Sequence, residues 1–193
     1  MTRKDVTSTI HRWSKSTKLI SMRRFLAPIV LLTFLFPSLA LGEGVKLEDL
    51  VSREGLHYKK FSDVPFTGKV TGYGGQRNGS FKNGKKEGPW VWNDKKGQLS
   101  NKKIYKDGEL DGPYVNYWSN GQLQSKGTYK DGKMDGPHSR YTKNGDLFIK
   151  GNYKDGKREG PWVYYLENGQ KNYELTFKDD KEDGPYVSYH ENG

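Results

Sequence analysis

Five Gly-Pro pairs stand in this chain at a constant interval of 24 residues: Gly88-Pro89, Gly112-Pro113, Gly136-Pro137, Gly160-Pro161 and Gly184-Pro185. A chain that repeats itself at this length folds as an array, because one short unit cannot bury its apolar side chains alone and must stack on its neighbours. Numbering each unit from the Gly of its pair, position 10 is again always Gly, at Gly97, Gly121, Gly145, Gly169 and Gly193, preceded in four units by Asn. Position 18 is aromatic at Phe81, Tyr105, Tyr129, Tyr153 and Phe177. Lys-Asp-Gly follows it at Lys106, Lys130 and Lys154, with Lys82-Asn83-Gly84 in the partial unit that comes first. An acid closes each unit, at Glu87, Asp111, Asp135, Glu159 and Asp183.

Each unit reads as two short strands and two turns. Pro161-Trp162-Val163-Tyr164-Tyr165 is aromatic and β-branched and stops at Asn168-Gly169; Gln122 to Tyr129 returns the chain and stops at Asp131-Gly132. Asn-Gly and Asp-Gly between such runs are hairpin signals, since Gly accepts positive φ and Asn or Asp nearly does. Proline at a strand's first residue is tolerated where a mid-ladder proline is not. The fold class is therefore all-β, an elongated array of antiparallel hairpins. A three-residue loop ending in a left-handed Gly would pair position 6 with position 12, which places Val115, Tyr117, Leu123 and Tyr129 on one face. The opposite face is then polar except for an aromatic row at position 3. At about 4.8 Å per strand, five hairpins give a ribbon on the order of 45 Å long.

Apolar residues make up only 32% of the chain and its mean hydropathy is −0.97, poor material for an oily core. Aromatics reach 13%, and such side chains supply much buried area per residue while keeping a polar tip, which suits a thin sheet. The net charge of +10 is unevenly placed: residues 1–42 hold seven Lys/Arg against one acid, whereas 43–193 hold 26 against 22. Lys and Asp alternate in the turns, as on a solvated face, so nucleic acid is not an expected partner. There is no cysteine, which excludes disulfides, Cys-bound zinc and thiol catalysis.

Residues 1–42 read as a signal peptide. Phe25 to Phe36 is an apolar run broken only by Pro28 and Thr33, with Arg23-Arg24 before it and small residues at cleavage spacing after it, Ser38-Leu39-Ala40 and Ala40-Leu41-Gly42. Translation starting at Met22 would give a more compact signal of the same kind. An uncleaved anchor and an organellar presequence are the competing readings of this segment. Export places the body in the periplasm, outside the cell or on the envelope.

The runs Tyr129-Lys130-Asp131-Gly132-Lys133-Met134-Asp135-Gly136-Pro137 and Tyr117-x-x-Asn120-Gly121-x-Leu123 resemble the MORN-repeat superfamily, in particular its bacterial antitoxin-like variant. The likeness spans residues 61–193, of which 81–193 carry the regular period. It implies a hairpin meander serving as a scaffold or as a membrane- or protein-binding surface, and it transfers no activity. The antitoxin label implies a toxin partner in the cytoplasm, which an export signal contradicts. Residues 43–80 fit the period poorly and read as an N-terminal cap containing a degenerate first repeat, with Gly72 to Gly79 too glycine-rich for a regular strand. The final unit supplies a first strand without a second, leaving an edge open to strand addition by a second copy or a partner.

The candidate binding residues are the position-3 row, Trp90, Tyr114, His138, Trp162 and Tyr186, widened by Trp92, Trp118 and Tyr164. Such a row could stack on sugar rings or lipid headgroups; alternatively it covers itself, lying on the hairpin backbone where position 16 is Gly127 or Gly151. No catalytic, cofactor or metal site is expected. The paired acids of each turn are explained by turn chemistry, with too few oxygens for calcium, and the four histidines are scattered. Duplication would also multiply any catalytic set, whereas an active site is normally single. A protein partner bound by a non-enzymatic scaffold is the leading expectation, with a membrane or glycan surface and a toxin as alternatives.

Overall fold

The computed structural model describes residues 44–190; the expected signal segment and residues 191–193 lie outside the described residues. Among those described there is no α-helix, and the body is one fifteen-stranded sheet that meanders from Gly68–Thr71 through successive hairpins to Val187–Ser188. The all-β hairpin array expected from the period is what forms.

Two turn types alternate along it. At positions 20 and 21 both residues have positive φ, 47° and 78° for Asp131 and Gly132, and the flanking lysines pair directly, Lys130 with Lys133. A two-residue loop with this backbone matches the right-handed twist of its strands. At the opposite edge Gly121 adopts φ 85°, its N–H donates to the Trp118 carbonyl, and Trp118 N–H reaches the Gln122 carbonyl at 2.8 Å. The same pair of bonds closes Asp94 to Gln98, Thr142 to Asp146 and Leu166 to Gln170. Tyr117 therefore pairs with Leu123, as the three-residue loop requires.

One residue later the expected register fails. Ser125, not Gln124, faces Asn116, so Gln124 is bulged out; Ser100, Phe148 and Asn172 are extra in the same way in the other three hairpins. An extra residue resets the in-and-out alternation of everything beyond it. Val115, Tyr117 and Leu123 do share a face, but Tyr129 lies on the other, opposite Gly112 and beside Tyr114 with ring centroids 5.1 Å apart.

The bulge thus unites the aromatics of positions 3 and 18. They interdigitate along the sheet as mostly edge-to-face contacts: Phe81 on Trp90 at 5.2 Å, Trp90 on Tyr105 at 6.2 Å, His138 on Tyr153 at 5.4 Å and Tyr153 on Trp162 at 5.0 Å. Such pairs each contribute about 0.5–1.5 kcal/mol beyond their buried area. A single sheet with no second layer makes its core in this way, from rings laid flat on its own inner face.

At the N-terminal end Val45–Lys46 pairs in parallel with Gly68–Thr71, and Phe66 and Val70 close over Phe81 and Trp90. A separate hairpin, Leu50–Arg53 with Leu56–Lys59, is tied to the first turn by His57 N–H to the Gly84 carbonyl at 2.9 Å. Of the glycine-rich stretch, 73–75 form a 3-10 turn and Arg77–Lys82 a strand whose register against Lys85–Asn93 shifts at Gly79, where the Trp90 indole occupies the space a side chain would need.

Candidate binding face

Four of the five position-3 residues are not on the surface. Trp90, Tyr114, His138 and Trp162 are all less than 9% exposed, whereas Tyr186 is 63% exposed. Trp92, Trp118 and Tyr164 are half-buried. The row does not form an open platform because the bulge brings the position-18 rings to its side of the sheet, which becomes the inner face, and glycine there makes room for it. The Trp90 indole lies on Gly79 and that of Trp162 on Gly151, each so close that a Cβ would fall inside the ring. Each indole also donates its N–H to the carbonyl of the next strand residue, Trp90 to Ser80 at 3.1 Å and Trp162 to Asn152 at 3.2 Å. Where position 16 is instead Lys103 or Leu175, its position-3 partner has leaned the other way.

Burial sets the protonation of this spine. Desolvation pushes the Tyr114 hydroxyl up to about 12, helped by neighbouring Tyr129 and Tyr153. His138, which shares a hydrogen bond with Tyr114, is held below the usual imidazole range by burial first and by Arg140 second. Lys86 is lowered by burial and by Arg77 and Lys103, and its Nζ lies 4.9 Å from the Trp90 centroid.

The outer face is the more open of the two. Its central row, read across the paired strands, is Val91, Lys102, Val115, Lys126, Ser139, Lys150 and Val163. The three lysines are exposed and the residues between them are half-buried or buried. Lys126 and Lys150 reach over Tyr141 and Tyr165 of the following unit, 5.9 and 5.8 Å from the ring centroids. Tyr117, Tyr141 and Tyr165 alternate with Leu123 and Leu147 in the adjoining row. Sequence patterning alone did not single these residues out, although lysine at positions 15 and 19 of successive units was visible. Their common face depends on the bulge.

The acids at position 24 are largely spent on the backbone. Glu87, Asp135 and Glu159 accept the N–H of Asp107, Asp155 and Asp179 at 3.0–3.2 Å, one turn bracing the next. Among the described residues no group of three metal-ligating side chains converges, and no helix is long and apolar enough to cross a membrane.

The family described as "MORN repeat variant" matches residues 110–131, 134–155 and 158–179, each segment running from a two-residue turn through the next hairpin. This chain carries three MORN repeats over residues 110–179. As such it is a repeat scaffold, built from copies of one hairpin and not around a single pocket. No curated protein matches the MORN-repeat chain. Among solved structures, a GtfA/B complex bound to UDP and GlcNAc is 17% identical over 67% of this chain and 29% of its own, with a TM-score of 0.21. Accessory secretory protein 1, 2 and 3 of Streptococcus pneumoniae is 17% identical over 71% of this chain and 20% of its own, with a TM-score of 0.18. The MORN-repeat chain therefore spans less than a third of either solved chain, and scores this low establish no common fold.

Proposed function

We propose that this protein is a non-enzymatic scaffold of the cell envelope or exterior, and that it binds another protein across the outer face of its repeat sheet. The observation that carries the proposal is the division of labour between faces: the aromatic spine seals one, while the other offers lysine, tyrosine and valine at recurring positions, with Ser139 and Glu174 as the exceptions. A group set multiplied by tandem duplication suits extended contact better than catalysis at one point. Envelope placement rests on Arg23-Arg24 and the apolar run from Phe25 to Phe36.

Binding of lipid or glycan by the aromatic row is the less favoured alternative, because burial withdraws four of the rings it needs. Toxin neutralisation requires a silent export signal. Photo-crosslinking in the native cell tests the leading proposal. A crosslinker replacing Tyr141 on the outer face should capture a discrete protein in the envelope fraction, and one replacing Tyr153 on the inner face should not. Capture from both positions, or only in the cytoplasm, would overturn it.

A further inference from the structure

The outer face carries a second lysine row. Positions 19 and 22 pair across each two-residue turn, so Lys130 faces Lys133 and Lys154 faces Lys157, with Lys106 facing Glu109 one unit earlier. Positions 15 and 19 lie on the same side of a regular strand, four residues or about 13 Å apart. The row of Lys102, Lys126 and Lys150 therefore runs parallel to the turn lysines.

Between the two rows stands a strip of short side chains. Pro113 pairs with Thr128, Pro137 with Asn152 and Pro161 with Thr176, and all three prolines are exposed. Short residues between two lines of long cationic ones make a shallow trough across the strands, repeating every two strands, or about 10 Å. Two of the neighbouring acids are engaged elsewhere, Asp135 and Glu159 each accepting a backbone N–H, while Lys157 pairs with Asp179 at 3.1 Å. Glu109 and Glu174 interrupt the lysine rows toward either end, which leaves the strongest field over Lys126, Lys130, Lys133, Lys150 and Lys154.

We infer that this trough binds an extended acidic segment of a partner polypeptide, lying across the strands with carboxylates toward the lysines and apolar side chains on the proline strip. This rests on the protein-binding reading above and gives its partner a chemistry. A linear occupant fits two parallel rows better than a membrane plane does. Of the exposed large apolar residues, Phe61 and Val64 lie in the cap and Tyr186 and Val187 in the last unit; Phe148 is a single bulged residue within the array, too isolated to enter a bilayer as a patch.

Fluorescence anisotropy of a labelled peptide alternating Glu and Val, titrated with the full chain, tests the inference. Binding should weaken with salt, and Lys126→Glu and Lys130→Glu should each reduce affinity about tenfold, as loss of a close cross-interface charge pair does. Lys96→Glu, in the loop at the opposite edge, should leave it unchanged; an equal loss there would reduce the effect to bulk charge and overturn the trough. No binding of the peptide would overturn it, as would heparin or phosphatidylglycerol vesicles binding through Lys126 in its place. A protein captured at Tyr141 that has no acidic segment would sink the trough while leaving the protein-binding scaffold intact.

Discussion

The Tyr114 hydroxyl and Nδ1 of His138 lie 2.9 Å apart, one full repeat from each other in the chain. They meet over Gly127, where a Cβ would come within 2.8 Å of the Tyr114 ring. Equivalent positions in consecutive units are thus in direct contact, so the repeats are coupled through their cores and not only through the hydrogen bonds of the sheet.

The burial of His138, with Arg140 nearby, makes stability depend on acidity. His138 has a folded pKa below its unfolded value, so the unfolded chain binds the proton more readily. Its contribution is fully present above the unfolded value, near 6.5, and is lost as the pH falls from there through the folded pKa. The urea midpoint should drop between pH 7.5 and pH 5, and a His138→Phe variant should show a smaller drop. An equal drop in both would assign the effect elsewhere.

Alkali should act on the partner of that bond. Tyr114 ionises at about 12 in the folded chain against about 10 when unfolded, so its contribution is present below 10 and is lost as the pH rises toward 12. Absorbance at 295 nm should show a late tyrosine step that Tyr114→Phe removes.

Gly151 and Trp162 should behave as one unit. Gly151→Ala forces a methyl into the space of the indole and should cost about 1–3 kcal/mol, the usual penalty of overpacking. Trp162→Ala should cost about 3–5 kcal/mol by leaving a cavity. In the Trp162→Ala background the Gly151→Ala change should cost little, so a double-mutant cycle from urea denaturation should give a large coupling energy. Additive costs would mean that the ring does not rest on the glycine.

Deletions should separate bulged from paired residues. Removing Gln124 leaves Leu123 opposite Tyr117 and Ser125 opposite Asn116, now adjacent and properly alternating, so Tm should move by only a few degrees, at about 2–4 °C per kcal/mol. Removing Asn116 forces either Tyr114 or Tyr117 to the wrong face, and burying or exposing one such ring is worth about 2–3 kcal/mol. Its Tm should fall by about 5–10 °C. Thermal melts followed by circular dichroism would decide, and equal losses would refute the register.

Much of the architecture was legible because turns are local. Gly121 and Gly132 occupy backbone conformations that few other residues adopt, which marks the turns, and the three-residue loop at Asn120-Gly121 follows from placing Tyr117 and Leu123 on one face, although Tyr129, used in the same argument, lies on the other. Which face is the core is not legible, for an equally definite reason. Unbroken alternation from Leu123 to Tyr129 places the position-3 ring on the open face and Tyr117 in the core, and the bulge at Gln124 reverses both. Ser100, Gln124, Phe148 and Asn172, the residues that bulge, have no chemistry in common that would have marked them. Lys126 and Lys150 looked like ordinary solvated charges until the register aligned them.

Glycines, prolines and aromatics at a spacing of 24 residues were sufficient to dictate a hairpin array and the place of each turn, since those depend on the φ/ψ limits of the residues at the turn itself. Which face is core and which is open was decided only in the assembled sheet. There the rings of Tyr114, His138 and Trp162 gain contacts from strands of neighbouring units, and the hairpins take up an extra residue so that those rings can meet.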